Sequence, residues 1–118
     1  MYEKIGLQLF ELNSNIRYVA VNQKGRIVEM EQNPKWPSHN PADTDRMEEL
    51  IVNPVILDLA KRRGDIDLNG IRYVVIRYGL QYQLLFPFKE GHVSVGVELK
   101  ADIATVANDV AKHLGLTS

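Results

Sequence analysis

The sequence contains no cysteine, which excludes disulfide bridges, thiolate nucleophiles and zinc sites with sulfur ligands. It also lacks any apolar run that approaches the ~18 residues of a membrane-spanning helix. Its first residues, Met1–Ile5, have no basic segment of the kind that begins a secretory signal. We therefore expect a cytoplasmic protein that does not bind membranes.

The chain also has no excess of positive or negative charge. The 14 Lys and Arg residues are balanced by 15 Asp and Glu residues, so the formal net charge is -1. Such a chain has no overall attraction for nucleic acid, and we expect none as a partner. What is present is an ordinary globular composition, with 45% hydrophobic and 25% charged residues in a chain of 118. We expect a single domain over residues 1–118.

The common sequence signatures of catalysis are absent too. The chain has no glycine-rich phosphate loop, no Gly-x-Ser-x-Gly nucleophile turn and no His-Glu-x-x-His metal-binding pair. We therefore expect a protein that is not an enzyme and that binds no cofactor.

The beginning of the chain predicts a helix followed by a β-hairpin. Apolar residues at helical spacing indicate an amphipathic helix over residues 2–13. Residues 16–22 and 26–31 are rich in β-branched and aromatic side chains, which favours strands. The connection Gln23–Gly25 is short enough to make these two strands a hairpin.

A loop and a second helix follow. Residues 32–43 contain three prolines together with Trp36 and His39, a composition that resists both helix and strand. Asp45 and Glu48 then have the spacing of a capping box, which predicts the start of a helix.

The apolar face of this second helix shifts partway along. It is formed first by Met47, Leu50 and Ile51, and then, one step out of phase, by Ile56, Leu59 and Ala60. Pro54 explains the slip because it cannot donate an intrahelical hydrogen bond, so the helix either kinks there or restarts with Asn53 as its cap. The cations Lys61–Arg63 are predicted in the last turn, where they suit the helix dipole, and Gly64 is predicted to end the helix.

The second half of the chain predicts three antiparallel strands and a final helix. The strand runs are residues 71–78, 80–88 and 92–99, joined by short turns at Gly79 and at residues 89–91. The predicted side-chain faces are Tyr82, Leu84, Phe86 and Phe88 on the middle strand, and Val93, Val95, Val97 and Leu99 on the last. Asp102 is predicted to cap the final helix, whose apolar face is Ile103, Val106, Ala107, Val110 and Leu114.

The resulting order is α-β-β-α-β-β-β-α. Five antiparallel strands and an apolar stripe on each helix predict an α+β fold, in which helices flank a five-stranded antiparallel sheet.

Particular residues give this order a family resemblance. They are Tyr18–Asn22 with Gly25 in the first hairpin, and Val93–Val97 ahead of the helix start at Ala101–Ile103. With the element order, they resemble the roadblock/dynein light-chain group of the profilin-like architecture. More narrowly, the chain resembles a family of small archaeal proteins of this length, on the segments Ile16–Tyr18, Ile71–Tyr73, Phe86–Pro87 and the final helix.

The roadblock resemblance implies a non-enzymatic module that dimerises, by joining sheets across a shared edge or by pairing helices. It also implies that such a module sometimes supports a small GTPase or a motor complex. The proline-rich loop with Trp36 and the Asn53-Pro54 pair depart from better-known members of the group.

Two groups of residues could carry chemistry, and for each we prefer a structural interpretation. His39, Asp43 and Asp45 could bind a metal, but they lack a defined ligand spacing, and aspartates before a helix are expected as caps. His92 and Ser94 share a strand face, but no carboxylate is visibly placed to orient the histidine, since Glu98 lies about 13 Å along the strand.

A basic patch is also conceivable. Lys61–Arg63 with Arg72 and Arg77 could bind phosphate or nucleic acid, but the cations at the helix end are already explained by the helix dipole, and a nearly neutral chain has no wider basic field.

Two hypotheses for function follow. The first is a protein-interaction or scaffolding module that forms a homodimer through an edge strand or a helix face. The alternative is a PAS-like or profilin-like small-molecule sensor, with a pocket between the sheet and the proline-rich loop lined by Trp36, Tyr82 and Phe86. Trp36 is predicted to be either a lid on the core or an interface anchor.

Overall fold

The computed structural model describes residues 4–36 and 42–116. Its elements, in chain order, are α1 (Ile5–Leu12), β1 (Ile16–Gln23), β2 (Arg26–Gln32), α2 (Ala42–Met47), a π-helical turn (Glu48–Val52), α3 (Asn53–Asp67), β3 (Val74–Arg77), β4 (Tyr82–Phe88), β5 (Gly91–Val97) and α4 (Ile103–His113). We call the continuous stretch formed by α2, the π-helical turn and α3 the composite helix. The predicted α+β class and the element order are confirmed.

The strands form one antiparallel sheet in the order β2-β1-β5-β4-β3. The predicted hairpin β1–β2 and the predicted three-stranded unit β3–β4–β5 are therefore joined through the pairing of β1 with β5. This arrangement leaves β2 and β3 as the two edges.

One face of the sheet carries the hydrophobic core. Side chains of β1, β4 and β5 on this face pack against α1 and α4, and the fully buried members of the cluster are Leu9, Ile16, Val19, Leu84, Phe86, Val93, Val95, Val97, Ala107 and Val110. The predicted side-chain faces of β4 and β5 lie on this side of the sheet, since successive strand residues point to opposite faces. Leu99 is the exception, because β5 ends at Val97 and Leu99 lies in the turn that follows. Burial of this surface is the main favourable contribution to folding.

The N-terminus of α1 is held by a side chain from the sheet. The Glu29 carboxylate of β2 accepts hydrogen bonds from the main-chain N–H groups of Ile5, at 3.1 Å, and of Gly6. These N–H groups have no partner inside the helix, and an anion suits the positive end of the helix dipole. At the other helix on this face, Asp102 caps α4 as predicted, with its carboxylate accepting from the Thr105 N–H at 3.3 Å.

The composite helix covers the opposite face of the sheet, where α3 contacts β4 and β5. It differs from the prediction at both ends. It already includes residue 42, so Asp45 and Glu48 lie inside it and form no capping box. It also continues through Gly64 to Asp67. The glycine does not end the helix but allows close packing on the Gly70 carbonyl, where there is no room for a side chain.

The cations of this helix are also placed differently. Lys61, Arg62 and Arg63 are not in its last turn but one turn earlier, and each pairs with an aspartate four residues away. The strands that follow are shorter than predicted, because β3 begins at Val74 and β4 at Tyr82. Among the described residues, no helix combines the length and apolar character needed to cross a membrane.

Candidate functional site

A carboxylate is buried between the composite helix and the sheet. The Glu49 side chain is fully inaccessible to solvent. Its Oε1 atom lies 2.8 Å from Nε2 of His92 and accepts from Nδ2 of Asn53 at 3.2 Å. Its Oε2 atom accepts from the Ser94 hydroxyl at 2.5 Å and from the Tyr18 hydroxyl at 3.3 Å. Each oxygen thus has two partners, which offsets the loss of solvation of a buried carboxylate.

The sheet presents these partners through its two-residue repeat. His92 and Ser94 are two apart on β5, and Tyr18 lies on the neighbouring strand β1, all on the face opposite the hydrophobic core. Burial against this carboxylate raises the pKa of the Tyr18 hydroxyl, with desolvation as the main cause and the charge of Glu49 as the next. Tyr18 is therefore held as a neutral donor.

The position of Glu49 follows from a local irregularity in the helix. The N–H of Asn53 donates to the carbonyl of Glu48, five residues back, which defines the π-helical turn. In this pattern the carbonyl of Glu49 would receive the N–H of residue 54, but Pro54 has none. The Asn22 side chain of β1 donates to that carbonyl instead, at 3.3 Å. Glu49 is thus bound to the sheet through both its side chain and its main chain.

The interpretation that no carboxylate orients His92 is wrong, since Glu49 does so from a different element. Glu98 instead pairs with Arg17, with 3.1 Å between the guanidinium Nε and the carboxylate. A catalytic triad needs the histidine between the nucleophile and the acid. Here the carboxylate lies between them, because Ser94 donates to Glu49 and not to His92. The arrangement therefore supports positioning and not activation of the serine.

The opposite side of the composite helix is apolar and faces solvent. Met47, Ile51, Val55 and Leu59 recur every four residues and are each 51–62% exposed. We call these four residues the apolar stripe. Complete burial of one such side chain is worth about 1.5–3 kcal/mol relative to exposure. Covering these four side chains with another apolar surface would therefore be favourable. The predicted apolar face of this helix therefore does not lie in the core at Met47, Leu50, Ile51 and Leu59, which are all exposed.

A groove continues the stripe at its N-terminal end. It has a volume of about 540 Å³ and is bordered by Met47, Glu48, Tyr78 and Leu80. Leu80 is largely exposed, so this end is apolar as well. Burial, together with the charges of Glu49 and Asp45, raises the pKa of the Glu48 carboxyl to about 7.

A second cavity lies at the other end of the sheet. It has a volume of about 420 Å³, and its walls include Asn22 and His92 from the sheet and Leu57 and Lys61 from the helix. Its mixture of apolar walls and a few polar groups is typical of small-molecule sites. The cavity adjoins the site of the buried Glu49, because Asn22 and His92, which bond to Glu49, also form part of the cavity wall.

The three residues predicted to line a pocket have different environments. Phe86 is fully buried in the core with Tyr73 beside it, because its strand face is covered by α1 and α4. Tyr82 is half-buried at the edge of the same cluster, beneath the guanidinium of Arg77. Trp36 donates from Nε1 to the Ser14 carbonyl at 2.9 Å and lies against the ammonium group of Lys100.

The loop that would cover such a pocket, residues 37–41, lies outside the described residues, as does His39. The role of Trp36 as lid or interface anchor thus stays a prediction. Over residues 4–36 and 42–116, no group of three or more His, Cys, Asp or Glu side chains could hold a metal ion.

The cations of the conceivable basic patch all have acceptors. Lys61, Arg62 and Arg63 form ion pairs of 2.6–2.9 Å with Asp65, Asp58 and Asp67. Arg77 donates to the main-chain carbonyls of Tyr78 and Gly79, and Arg72 donates to that of Asn69. The three cations of the helix are therefore neutralised by aspartates of the same helix.

Comparison with solved structures identifies the architecture. An MglB structure described as having a tetrameric arrangement superposes with a TM-score of 0.65 at 15% identity, over 97% of this chain and 90% of that one. The Roadblock/LC7 domain from Streptomyces avermitilis gives a TM-score of 0.67 at 12% identity, over 96% and 93% of the two chains. This chain has the roadblock fold.

The gliding protein MglB from Thermus thermophilus extends the roadblock likeness to 99% of this chain and 96% of that one, with a TM-score of 0.60 and 13% identity. The predicted roadblock resemblance is confirmed at the level of fold. No protein-family model matches the sequence, and no curated protein matches it. The narrower resemblance to small archaeal proteins finds no support in these comparisons.

Proposed function

We propose that this roadblock-fold protein is a non-enzymatic protein-interaction module that pairs with a second copy of itself through the apolar stripe. The observation that carries the proposal is the orientation of the composite helix, which buries Glu49 and Asn53 but exposes Ile51, Val55 and Leu59. An exposed apolar surface of this kind is typical of an interaction site.

A second copy is a suitable occupant because the stripe is self-complementary. Two composite helices that pack antiparallel about a two-fold axis near Val55 place Ile51 of each copy next to Leu59 of the other, which is the isologous geometry of a cyclic dimer. The stripe runs from Met47 to Leu59, about 18 Å of helix, and the groove at Leu80 continues it. A tetrameric arrangement is described for one structural neighbour, an MglB, which supports self-association of this fold.

Sedimentation velocity with the variant Leu59→Glu tests this proposal. Placing a charge next to Ile51 of the other copy should shift the wild-type dimer to the monomer mass at the same concentration. Leu7→Glu is the matched control, because Leu7 is an exposed leucine on α1, on the other side of the sheet, and should leave the dimer intact. A monomeric wild type, or a Leu59→Glu variant that still dimerises, would rule out the stripe as the self-association surface.

A small GTPase is the heterologous partner that the roadblock resemblance implies. Affinity capture from native cell extract followed by mass spectrometry tests this part of the proposal. Enrichment of a small GTPase that Leu59→Glu or Leu7→Glu abolishes would support it and locate the surface. Capture without any GTPase would contradict it.

The 420 Å³ cavity favours a second candidate, a small-molecule sensor. This cavity is distinct from the pocket predicted at Trp36, Tyr82 and Phe86, and it contains Asn22 and His92. A ligand that binds only the folded state must raise its apparent stability. A thermal-shift screen of metabolites tests the sensor proposal on the wild type and on Leu57→Trp, in which the larger side chain fills the cavity. Metabolites that stabilise the wild type but not the variant support a sensor. An absence of stabilising metabolites contradicts it.

A further inference from the structure

We propose that Glu49 is a positioning residue that fixes the rotation of the composite helix about its axis, so that the apolar stripe faces away from the sheet. The inference rests on the proposed function, because the direction of the stripe matters only if a second copy covers it. It concerns how the interaction surface is presented and not what binds to it.

Hydrophobic burial by itself favours a different rotation of this helix. At 3.6 residues per turn, Val55, Leu59 and Ile66 fall within about 40° of one another. Asn53, Leu57 and Gly64 lie on the opposite side, and they are the residues of α3 that are buried. Leu57 is the only large apolar side chain of these three. A half-turn of the helix would therefore bury more apolar surface than the observed orientation does.

The polar face of the sheet opposes that half-turn. Tyr18, His92 and Ser94 are buried beneath the helix, and each has the Glu49 carboxylate as a partner. If apolar side chains replaced the carboxylate, these groups would be buried without partners, which is strongly unfavourable. Glu49 therefore makes the observed rotation the better one, although it leaves apolar side chains in solvent.

The main chain of Glu49 adds a second point of attachment. Because Pro54 has no N–H, the Glu49 carbonyl accepts from Asn22 of β1. Two attachments from one residue, to β1 and to β5, restrict sliding of the helix along its axis as well as rotation. The neighbouring Glu48 cannot take this role, since it borders the groove beside Tyr78.

The test compares three variants by methyl NMR on mixed-label samples, in which contacts within a protomer are separated from contacts between protomers. Glu49→Gln keeps a polar group of the same shape. The Tyr18 or Ser94 hydroxyl, which donates to the carboxylate in the wild type, can accept from the amide NH2 group instead. Glu49→Leu removes the carboxylate but leaves four buried groups without this partner, namely Tyr18, His92 and Ser94 on the sheet and Asn53 on the helix. A quadruple variant, Glu49→Leu with Tyr18→Phe, His92→Leu and Ser94→Ala, also removes the three partners on the sheet and so avoids their penalty.

In the wild type and in Glu49→Gln, we expect contacts within the protomer from Leu57 methyls to β4 and β5, and none from Val55 or Leu59 methyls to the sheet. In the quadruple variant, and in Glu49→Leu where it folds, we expect the Leu57 contacts to disappear and contacts from Val55 or Leu59 to the sheet to appear. The contacts between β4 and α4 in the core, for which Leu84 and Val106 supply methyl probes, should persist in each case.

A wild-type contact pattern in the quadruple variant would overturn the proposal, because other contacts would then set the rotation. Loss of the contacts between β4 and α4 in both Glu49→Leu and the quadruple variant would overturn it too, since Glu49 would then act on the whole fold. Sedimentation velocity on the same samples distinguishes a failure of the positioning role from a failure of the proposed self-association. A monomeric wild type with the expected contacts within the protomer would refute self-association but not the positioning role.

Discussion

The side-chain amide of Asn22 donates a hydrogen bond of 3.3 Å to the main-chain carbonyl of Glu49. It supplies from the sheet the donor that Pro54 cannot supply from the helix. A side chain on β1 thus compensates for a proline that is 32 residues further along the chain. The compensation gives the Glu49 carbonyl a partner inside the π-helical turn between α2 and α3.

Removal of this donor should destabilise the protein. In Asn22→Ala, the buried Glu49 carbonyl loses its partner, so we expect the free energy of unfolding to fall by about 1–3 kcal/mol. Urea denaturation measures this change, with the slope of the transition unchanged. Asn108→Ala, at an exposed position of α4, is the matched control and should have no destabilising effect. Equal stability of Asn22→Ala and the wild type would show that the carbonyl finds another donor.

Restoring the missing helical donor should reduce that loss. In Pro54→Ala, residue 54 has an N–H that can donate to the Glu49 carbonyl in the π-helical pattern. We therefore expect Asn22→Ala to be less destabilising in the Pro54→Ala background, with a coupling of about 1 kcal/mol in a double-mutant cycle. Additive effects, measured by the same urea titrations, would contradict the exchange of donors described above.

Close packing of main chains should make Gly91 irreplaceable. A Cβ atom at this position would overlap the carbonyl oxygen and carbon of Asn22 on the paired strand β1. Because main-chain atoms of a central strand cannot move aside, we expect Gly91→Ala to cost about 3 kcal/mol or more, or to prevent folding. Gly79→Ala is the control, since a Cβ there meets no atom within 4 Å. Circular dichroism with thermal melting compares the two, and similar melting temperatures would contradict this explanation.

The raised pKa of Glu48 predicts a pH dependence of unusual sign. Its folded-state pKa of about 7 lies above its ordinary value of 4.5, so between these pH values the folded protein holds a proton that the unfolded chain has released. The free energy of unfolding should therefore fall as the pH rises from 4.5 to 7, and level off above 7. Because the side chain is only half-buried, we expect an effect of about 1 kcal/mol.

Urea titrations across this pH range, on the wild type and on Glu48→Gln, measure the contribution of this carboxyl. The variant is neutral at every pH, so its stability should be flatter from pH 4.5 to 7 and higher than that of the wild type above pH 7. Glu11→Gln, at an exposed position of α1, should keep the wild-type dependence. The same slope in Glu48→Gln and the wild type would assign the dependence to other groups.

Sequence patterns predicted the elements of this fold where one side of an element is apolar. The alternation of Val93, Val95 and Val97 and the helical spacing of Val106 and Val110 each specified a face that does lie in the core. The composite helix was predicted less well, because its apolar residues face solvent. The strands nevertheless contained an indication of how this helix packs. The polar residues Asn22, Gln83, His92 and Ser94 occupy the sheet face opposite the core and are buried. Buried polar groups require a polar partner.

By itself, then, the sequence determined the α+β class, the antiparallel pairing of strands that follow one another in the chain, and the hydrophobic side of the sheet, because these depend on periodicities over a few neighbouring residues. It also excluded thiol chemistry through the absence of cysteine. Only the tertiary structure decided that Glu49 meets His92, 43 residues away, and that the apolar stripe faces outward. The physical reason is that helix rotation depends on hydrogen bonds between groups distant in sequence, and no local pattern encodes which of them come together.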